Sequence, residues 1–204
     1  MIDDKIKDYT YYDRPFVHFL KGYFGDKELI GIEIGVDKGI NSLQMISKLN
    51  IKKLYCIDPY MLDFVYIDSN DHKSKIELHI DINKRNELIS QSYDECKRNL
   101  YDKYNNVIHI KRFSSKAIRS IKESNLDFVY IDGDHSYRTV ELDIKLYKKK
   151  LSKDGIIGGD DYMKNGVNQA VNEMIPREKL HVMNYDVLRK GKKETNTEWW
   201  VVND

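Results

Sequence analysis

Two acidic runs, Asp132-Gly-Asp-His135 and Gly158-Gly-Asp-Asp161, hold the residue types best suited to chemistry in this chain. Each follows an apolar stretch, Leu126–Ile131 and Gly155–Gly158, that reads as a buried parallel strand. Acids at the carboxyl ends of parallel strands lie on the edge where open α/β sheets bind ligands. Neighbouring strands are only ~4.8 Å apart, so three or four carboxylates would converge there. Such a cluster repels itself, and the usual remedies are protonation of one acid or capture of a cation. Oxygen-only ligands select hard Mg2+, Mn2+ or Ca2+ over zinc. The blander readings are that Asp160-Asp161 caps a loop and that Asp134 opens a helix. His135, beside these acids, could orient a ligand, act as a base or simply occupy the turn.

A second constellation is the turn Glu33-Ile-Gly-Val-Asp-Lys-Gly39, which follows the first predicted strand and opens the first crossover helix. Gly35 permits a sharp turn, and Gly39 permits close approach of backbone to a ligand. A pyrophosphate would want a third glycine and no anion nearby, yet Asp37 stands at the middle glycine position and Glu33 adds a further charge. S-adenosylmethionine carries an ammonium and a sulfonium, which carboxylates attract. The turn therefore favours the methyl donor over a nicotinamide dinucleotide. Asp58, in Cys56-Ile-Asp-Pro59, ends the second strand about 20 residues later, where an acid can accept both ribose hydroxyls; a simple Asp-Pro turn is its alternative. Ser114 opens a helix where the adenine would lie, or is only that helix's N-cap. Asp132, at the neighbouring strand end, also faces the donor.

Behind these residues the pattern alternates strand and helix. Strands are expected at Leu29–Ile34, Lys53–Ile57, Val107–Ile110, Leu126–Ile131 and Gly155–Gly158, with helices at Gly39–Leu49, 84–104, Ser115–Glu123, Tyr137–Leu151 and Val167–Ile175. Leu180–Leu188 and Glu198–Val202, joined by a polar stretch containing Gly191, then close the sheet as an antiparallel pair. Residues 2–24 read as one or two short helices, part of an N-terminal helical cap over 1–28, and 60–82 as a lid or insertion. The hexapeptide Asp63–Asp68 recurs at Asp127–Asp132 without a wider repeat, which is coincidence. No linker divides residues 1–204, so a single domain is expected.

Composition narrows the classes. Lys plus Arg total 34 against 33 for Asp plus Glu, a net charge of +1 that gives no electrostatic reason to expect nucleic acid. Lys148–Lys150 reads as a solvated helix end. Cys56 and Cys96 match no paired metal-ligand spacing and are too few for a disulfide scaffold, which suits a reducing compartment. Neither a signal-like nor a membrane-spanning apolar run is present, so a soluble cytoplasmic protein without a membrane partner is expected. Homo-oligomerisation is left open.

Together, Glu33–Gly39, Asp58-Pro59, Asp127–Tyr137, Leu151–Gly155 and Ile157–Tyr162 resemble the class I methyltransferases that include the macrocin-type sugar O-methyltransferases. The resemblance spans roughly residues 29–175. It implies a Rossmann-like, three-layer α/β/α fold on a seven-stranded, mostly parallel sheet whose last strand is antiparallel. It further implies metal ligation by Asp132, Asp160 and Asp161, a general base at Asp134 supported by His135, and methylation of a sugar, glycan or sugar-bearing hydroxyl. Catechol-type O-methyltransferases look similar at the metal but carry Asp-Asn where this chain has Asp160-Asp161, which favours the sugar branch. The rival readings are a catechol-type enzyme, a nicotinamide-dependent oxidoreductase, a metal phosphohydrolase and a non-catalytic module.

Overall fold

The structure is a computed structural model that describes residues 9–11, 14–61, 82–189 and 192–204. The predicted lid, apart from its ends, the first hexapeptide copy, Gly191 and much of the N-terminal cap therefore lie outside the described residues. Eight strands form one sheet: β1 Tyr9–Tyr11, β2 Leu29–Ile34, β3 Ile51–Ile57, β4 Val107–Ile110, β5 Leu126–Ile131, β6 Leu151–Gly159, β7 His181–Arg189 and β8 Lys192–Val202. Their order is β1-β7-β8-β6-β5-β2-β3-β4. The strands from β4 to β6 in that order pair in parallel, whereas β8, β7 and β1 join antiparallel. Seven of them make the expected mostly parallel sheet with its antiparallel close. The eighth, β1, corrects the helical reading of this part of the N-terminus: Tyr9–Tyr11 pairs with Val187–Arg189, a contact too distant in sequence for local periodicity to reveal.

Among the described residues, six α-helices flank the sheet: α1 Pro15–Phe24, α2 Ile40–Lys48, α3 Ile82–Cys96, α4 Ser114–Ala117, α5 Tyr137–Tyr147 and α6 Asn165–Met174. α3 runs on into a π-helical turn, Lys97–Tyr101. One face of the sheet packs Phe16, Val17 and Leu20 of α1, Met45 of α2 and Leu100 against Leu54, Phe128 and Tyr130. The other packs Ala117, Val140, Ile144, Val167 and Val171 of α4, α5 and α6 against Ile32, Val129 and Ile157. Three layers result, and helices cover both faces of the central strands, which explains why β2 and β5 are mainly apolar with a single buried acid each, Glu33 and Asp127.

α1 starts where Pro15 occupies the first helical position, since its fixed φ suits that site and its missing N–H is not needed there. The chain order reverses between β2 and β5, so the crevice above their carboxyl ends is the switch point where such sheets bind ligands. At the opposite end of β5, Asp127 accepts from Lys27 Nζ at 2.7 Å and from the Ile30 backbone N–H at 2.7 Å, anchoring β5 against β2. Among the described residues, no helix is long and apolar enough to cross a membrane.

Candidate active site

The turn after β2 lies directly against the end of β5. The Asp132 N–H donates to the Ile34 carbonyl at 2.7 Å. Gly35 sits at φ 83°, and a Cβ there would fall 2.0 Å from the Asp132 carbonyl oxygen, so only glycine fits. Gly39 also has positive φ, but the space beside it is filled by protein: an added Cβ would stand 2.9 Å from Cys96 Sγ and 3.3 Å from a Leu100 methyl. Its missing side chain thus accommodates the end of α3 and the π-turn, a different reason from ligand approach.

Asp58 braces the same turn. Its Oδ2 accepts from the Val36 and Asp37 N–H groups at 2.9 and 3.0 Å, and its Oδ1 from the Tyr60 N–H at 2.8 Å. Asp37, Asp58, Tyr60 and Leu88 line a cavity of about 350 Å3. Ser114 is not brought to it. Its carbonyl accepts from Tyr147 at 2.8 Å, and its side chain hydrogen-bonds Asp143 on the other face of the sheet.

A second cavity of about 270 Å3 shares Asp37 with the first and reaches from Glu33, Gly35 and Asn41 to Asp132, His135 and Asp161. Glu33 is buried and accepts from Asn41 Nδ2 at 2.9 Å and from the Ser42 hydroxyl. Burial pushes its carboxyl up to about 7, against the lowering effect of Ser42, Asn41 and Arg14, while Asp58 adds a little. Asn41 is only 5% exposed, and among the described residues its Oδ1 has no hydrogen-bond partner. A buried acceptor without a donor is costly, and a carboxylate stands beside it. An ammonium group entering here would satisfy both, which is what the amino-acid end of S-adenosylmethionine offers.

This geometry has a pH consequence. The ionised form of Glu33 attracts the ammonium, and binding lowers its pKa from about 7. Donor affinity should therefore rise as pH increases from 6 towards 8, with up to one proton released near pH 7. Isothermal titration with S-adenosylhomocysteine in buffers of different ionisation enthalpy measures that release; Glu33→Gln should abolish it.

On the acidic edge, the three predicted acids line one cavity but differ in their surroundings. Asp160 is buried: its Oδ2 accepts from Arg14 Nη1 at 2.9 Å and Tyr185 Oη at 2.7 Å, and its Oδ1 from the Asp161 N–H at 2.8 Å. Arg14 also donates to Tyr130 Oη and to Glu198 Oε1 at 3.4 Å, and its Nη2 lies 3.7 Å from Asp132 Oδ2. Burial alone would lower the Arg14 pKa, but Tyr130, Asp160 and Asp132 outweigh it and the guanidinium stays charged. Burial, then Asp160, pushes the Asp132 carboxyl well above the usual range, with Arg14 opposing.

The three groups that do converge are Asp132, His135 and Asp161, whose ligand atoms lie within 4.8 Å of one another. His135 Nε2 is 2.7 Å from Asp161 Oδ2. Among the described residues this is the set placed so that it could hold a metal ion, whereas Asp160 already accepts from Arg14, Tyr185 and the Asp161 N–H. Asp134 is exposed, and its Oδ1 accepts from the Ser136 N–H at 2.6 Å, a turn contact outside the cavity lining. Arg14, Asn41, Tyr185 and Glu198 escaped the sequence reading. Only Asn41, one residue into the helix after the glycine turn, left a local signal.

Residues 32–162 match the family described as Methyltransferase domain. The chain belongs to this methyltransferase family. Its class I, S-adenosylmethionine-dependent character follows from that membership and the fold. The methyltransferase is 30% identical over 164 residues to "Uncharacterized protein R132" of Acanthamoeba polyphaga mimivirus, covering 76% of this chain and 63% of that protein. It thus spans less than two thirds of its relative's length. An rRNA methylase from Streptococcus thermophilus superposes with a TM-score of 0.60 at 15% identity, covering 96% of this chain and all of the other. A Streptococcus mutans protein assigned as a methyltransferase, solved with SAH, gives 0.59 at 16% identity over 94% and 99% of the two chains. A Staphylococcus aureus protein assigned as a caffeoyl-CoA O-methyltransferase gives 0.59 at 14% identity over 97% and 88%. These similarities establish the fold that the methyltransferase shares with them.

Proposed function

We propose that this methyltransferase is an O-methyltransferase acting on a hydroxyl of a sugar, glycan or sugar-bearing small molecule, with a divalent cation held by Asp132, His135 and Asp161. The observation that carries the proposal is one continuous cavity that joins Glu33, Asn41 and Asp37 to those three residues. Donor-type and hydroxyl-handling groups thus share a single space. The Asp-Asp pair at the end of β6 favours the sugar-type over the catechol-type acceptor. A net charge of +1 and the carboxylates of this cavity disfavour a nucleic-acid acceptor.

When bound, S-adenosylmethionine supplies an electrophilic methyl group and the cation makes a coordinated hydroxyl more acidic. The chain itself does the rest. Glu33 and Asn41 hold the donor's ammonium, Asp58 fixes the turn and offers acceptor oxygens to ribose, and Asp132 and Asp161 orient the acceptor oxygen. Orientation of this kind is worth ~7–11 kcal/mol in favourable cases. The hydroxyl proton must leave as the carbon–oxygen bond forms and the sulfur–methyl bond breaks, and Asp134, which lies outside the cavity lining, would have to move towards the cavity to accept it.

One contact favours a second reading. The 2.7 Å pair between His135 and Asp161 is the geometry of an oriented base, in which the proton would pass to His135 without a cation. A methyl-transfer screen against deoxysugars, glycans and catechols, read by mass spectrometry, tests the acceptor class. In excess EDTA the rate should fall to background and return with Mg2+ or Mn2+. Full activity in chelator would reject the cation and leave His135 as the base.

A further inference from the structure

Three carboxylates of this edge meet around one side chain that is neither metal nor ligand. The Arg14 guanidinium touches Asp160 at 2.9 Å, Glu198 at 3.4 Å and Asp132 at 3.7 Å, and its plane neighbours the rings of Tyr130 and Tyr185. Arg14 is 5% exposed, Asp160 5% and Glu198 0%. Carboxylates so placed cannot all ionise without a cation among them. A guanidinium is suited to that place: it is always charged, planar and rich in donors, so one group can serve several oxygens.

We propose that Arg14 is a built-in counter-cation that holds Asp160 out of the divalent-cation site and positions Asp132 at its edge. Asp160 then belongs to the protein interior, bonded to Arg14, Tyr185 and the Asp161 N–H. Arg14 and Asp160 also line the cavity, but with Asp160 so engaged an exogenous cation is left to Asp132, His135 and Asp161. The tie is also mechanical. Arg14 immediately precedes α1, and Glu198 Oε2 accepts from the Phe16 N–H at 2.8 Å, so the same cluster clamps the start of α1 onto β8 and the end of β6. This inference rests on the cation edge of the proposed function but not on the acceptor.

The test is a pair of thermal melts of the full chain and Asp160→Asn, each in EDTA and in Mn2+. Because the partners of Asp160 are protein groups, Asp160→Asn should lower Tm by roughly 5 °C, equally in both conditions. An unchanged Tm in EDTA, or a loss confined to Mn2+, would overturn the inference. Arg14→Met, which keeps a similar stem without the charge, adds the converse: its Mn2+ affinity by isothermal titration should exceed that of wild type at least tenfold. That gain should vanish in Arg14→Met combined with Asp160→Asn. A folded Arg14→Met variant with wild-type affinity counts against the proposal. Should wild type bind no Mn2+ at all, the cation reading of the function fails, while the melts in EDTA still decide the role of Arg14.

Discussion

Asp161→Ala should lower kcat for methyl transfer by roughly 10^3-fold while leaving the donor Kd within about twofold, because the substitution removes a ligand oxygen and a charge from the reacting edge alone. Asp161 lies at φ 57°, which strains an alanine, so a thermal melt first checks that the variant folds. Its carboxylate faces His135 Nε2 at 2.7 Å and points towards Asp132. As a cation ligand or as the group that orients His135, it is needed in both readings of the chemistry. The ammonium site proposed at Glu33 and Asn41 uses other residues. Single-turnover rates by mass spectrometry and titration with S-adenosylhomocysteine separate the two effects. A rate within tenfold of wild type would mean that methyl transfer occurs elsewhere.

Gly35→Ala should destabilise the protein by about 3–5 kcal/mol and abolish donor binding together. The added Cβ would stand 2.0 Å from the Asp132 carbonyl oxygen and 2.6 Å from Gly133 Cα, both backbone atoms that cannot rotate away. The backbone at φ 83° adds strain of its own. β2 and β5 would have to part at their carboxyl ends, and the turn that carries Asp37 would move with them. A urea melt gives the stability, and titration of whatever folds gives the affinity. A variant with wild-type Cm would show that the turn has room to relax.

Much of this molecule was legible before any coordinates. Leu29–Ile34, Val107–Ile110 and Leu126–Ile131 begin and end where their mainly apolar runs do, and in the first and last of them even Glu33 and Asp127 are buried. Asp132, Asp160 and Asp161 follow strands in the same way, which put them on the ligand edge. Their division was not legible. Whether an acid at a strand end faces solvent or the interior depends on what packs behind it, and Arg14 stands 146 residues from Asp160. β8 extends back from the predicted Glu198 to Lys192 because its first residues pair with β7 while remaining exposed, so alternation is absent there. β6 likewise begins at Leu151, with a register shift opposite Leu126–Phe128 that allows Asp154 its φ of 64°. Of this added stretch only Leu151 falls in the expected helix Tyr137–Leu151, which Lys148–Lys150 continues as a 3-10 turn after α5.

The clamp joining residue 14 to residue 198 also sets when this catalytic edge can exist. A chain emerging from the ribosome makes β2, the glycine turn and β5 early, yet the partners of Arg14 come from the last strand pair as well as from β6. Contacts of such separation form late and slowly in folding. Until β7 and β8 have docked, Glu198 and Tyr185 are absent and Asp160 has only part of its final surroundings. β7 and β8 must therefore be made before this edge takes its final form, so a chain that stops short of them would carry the glycine turn without it.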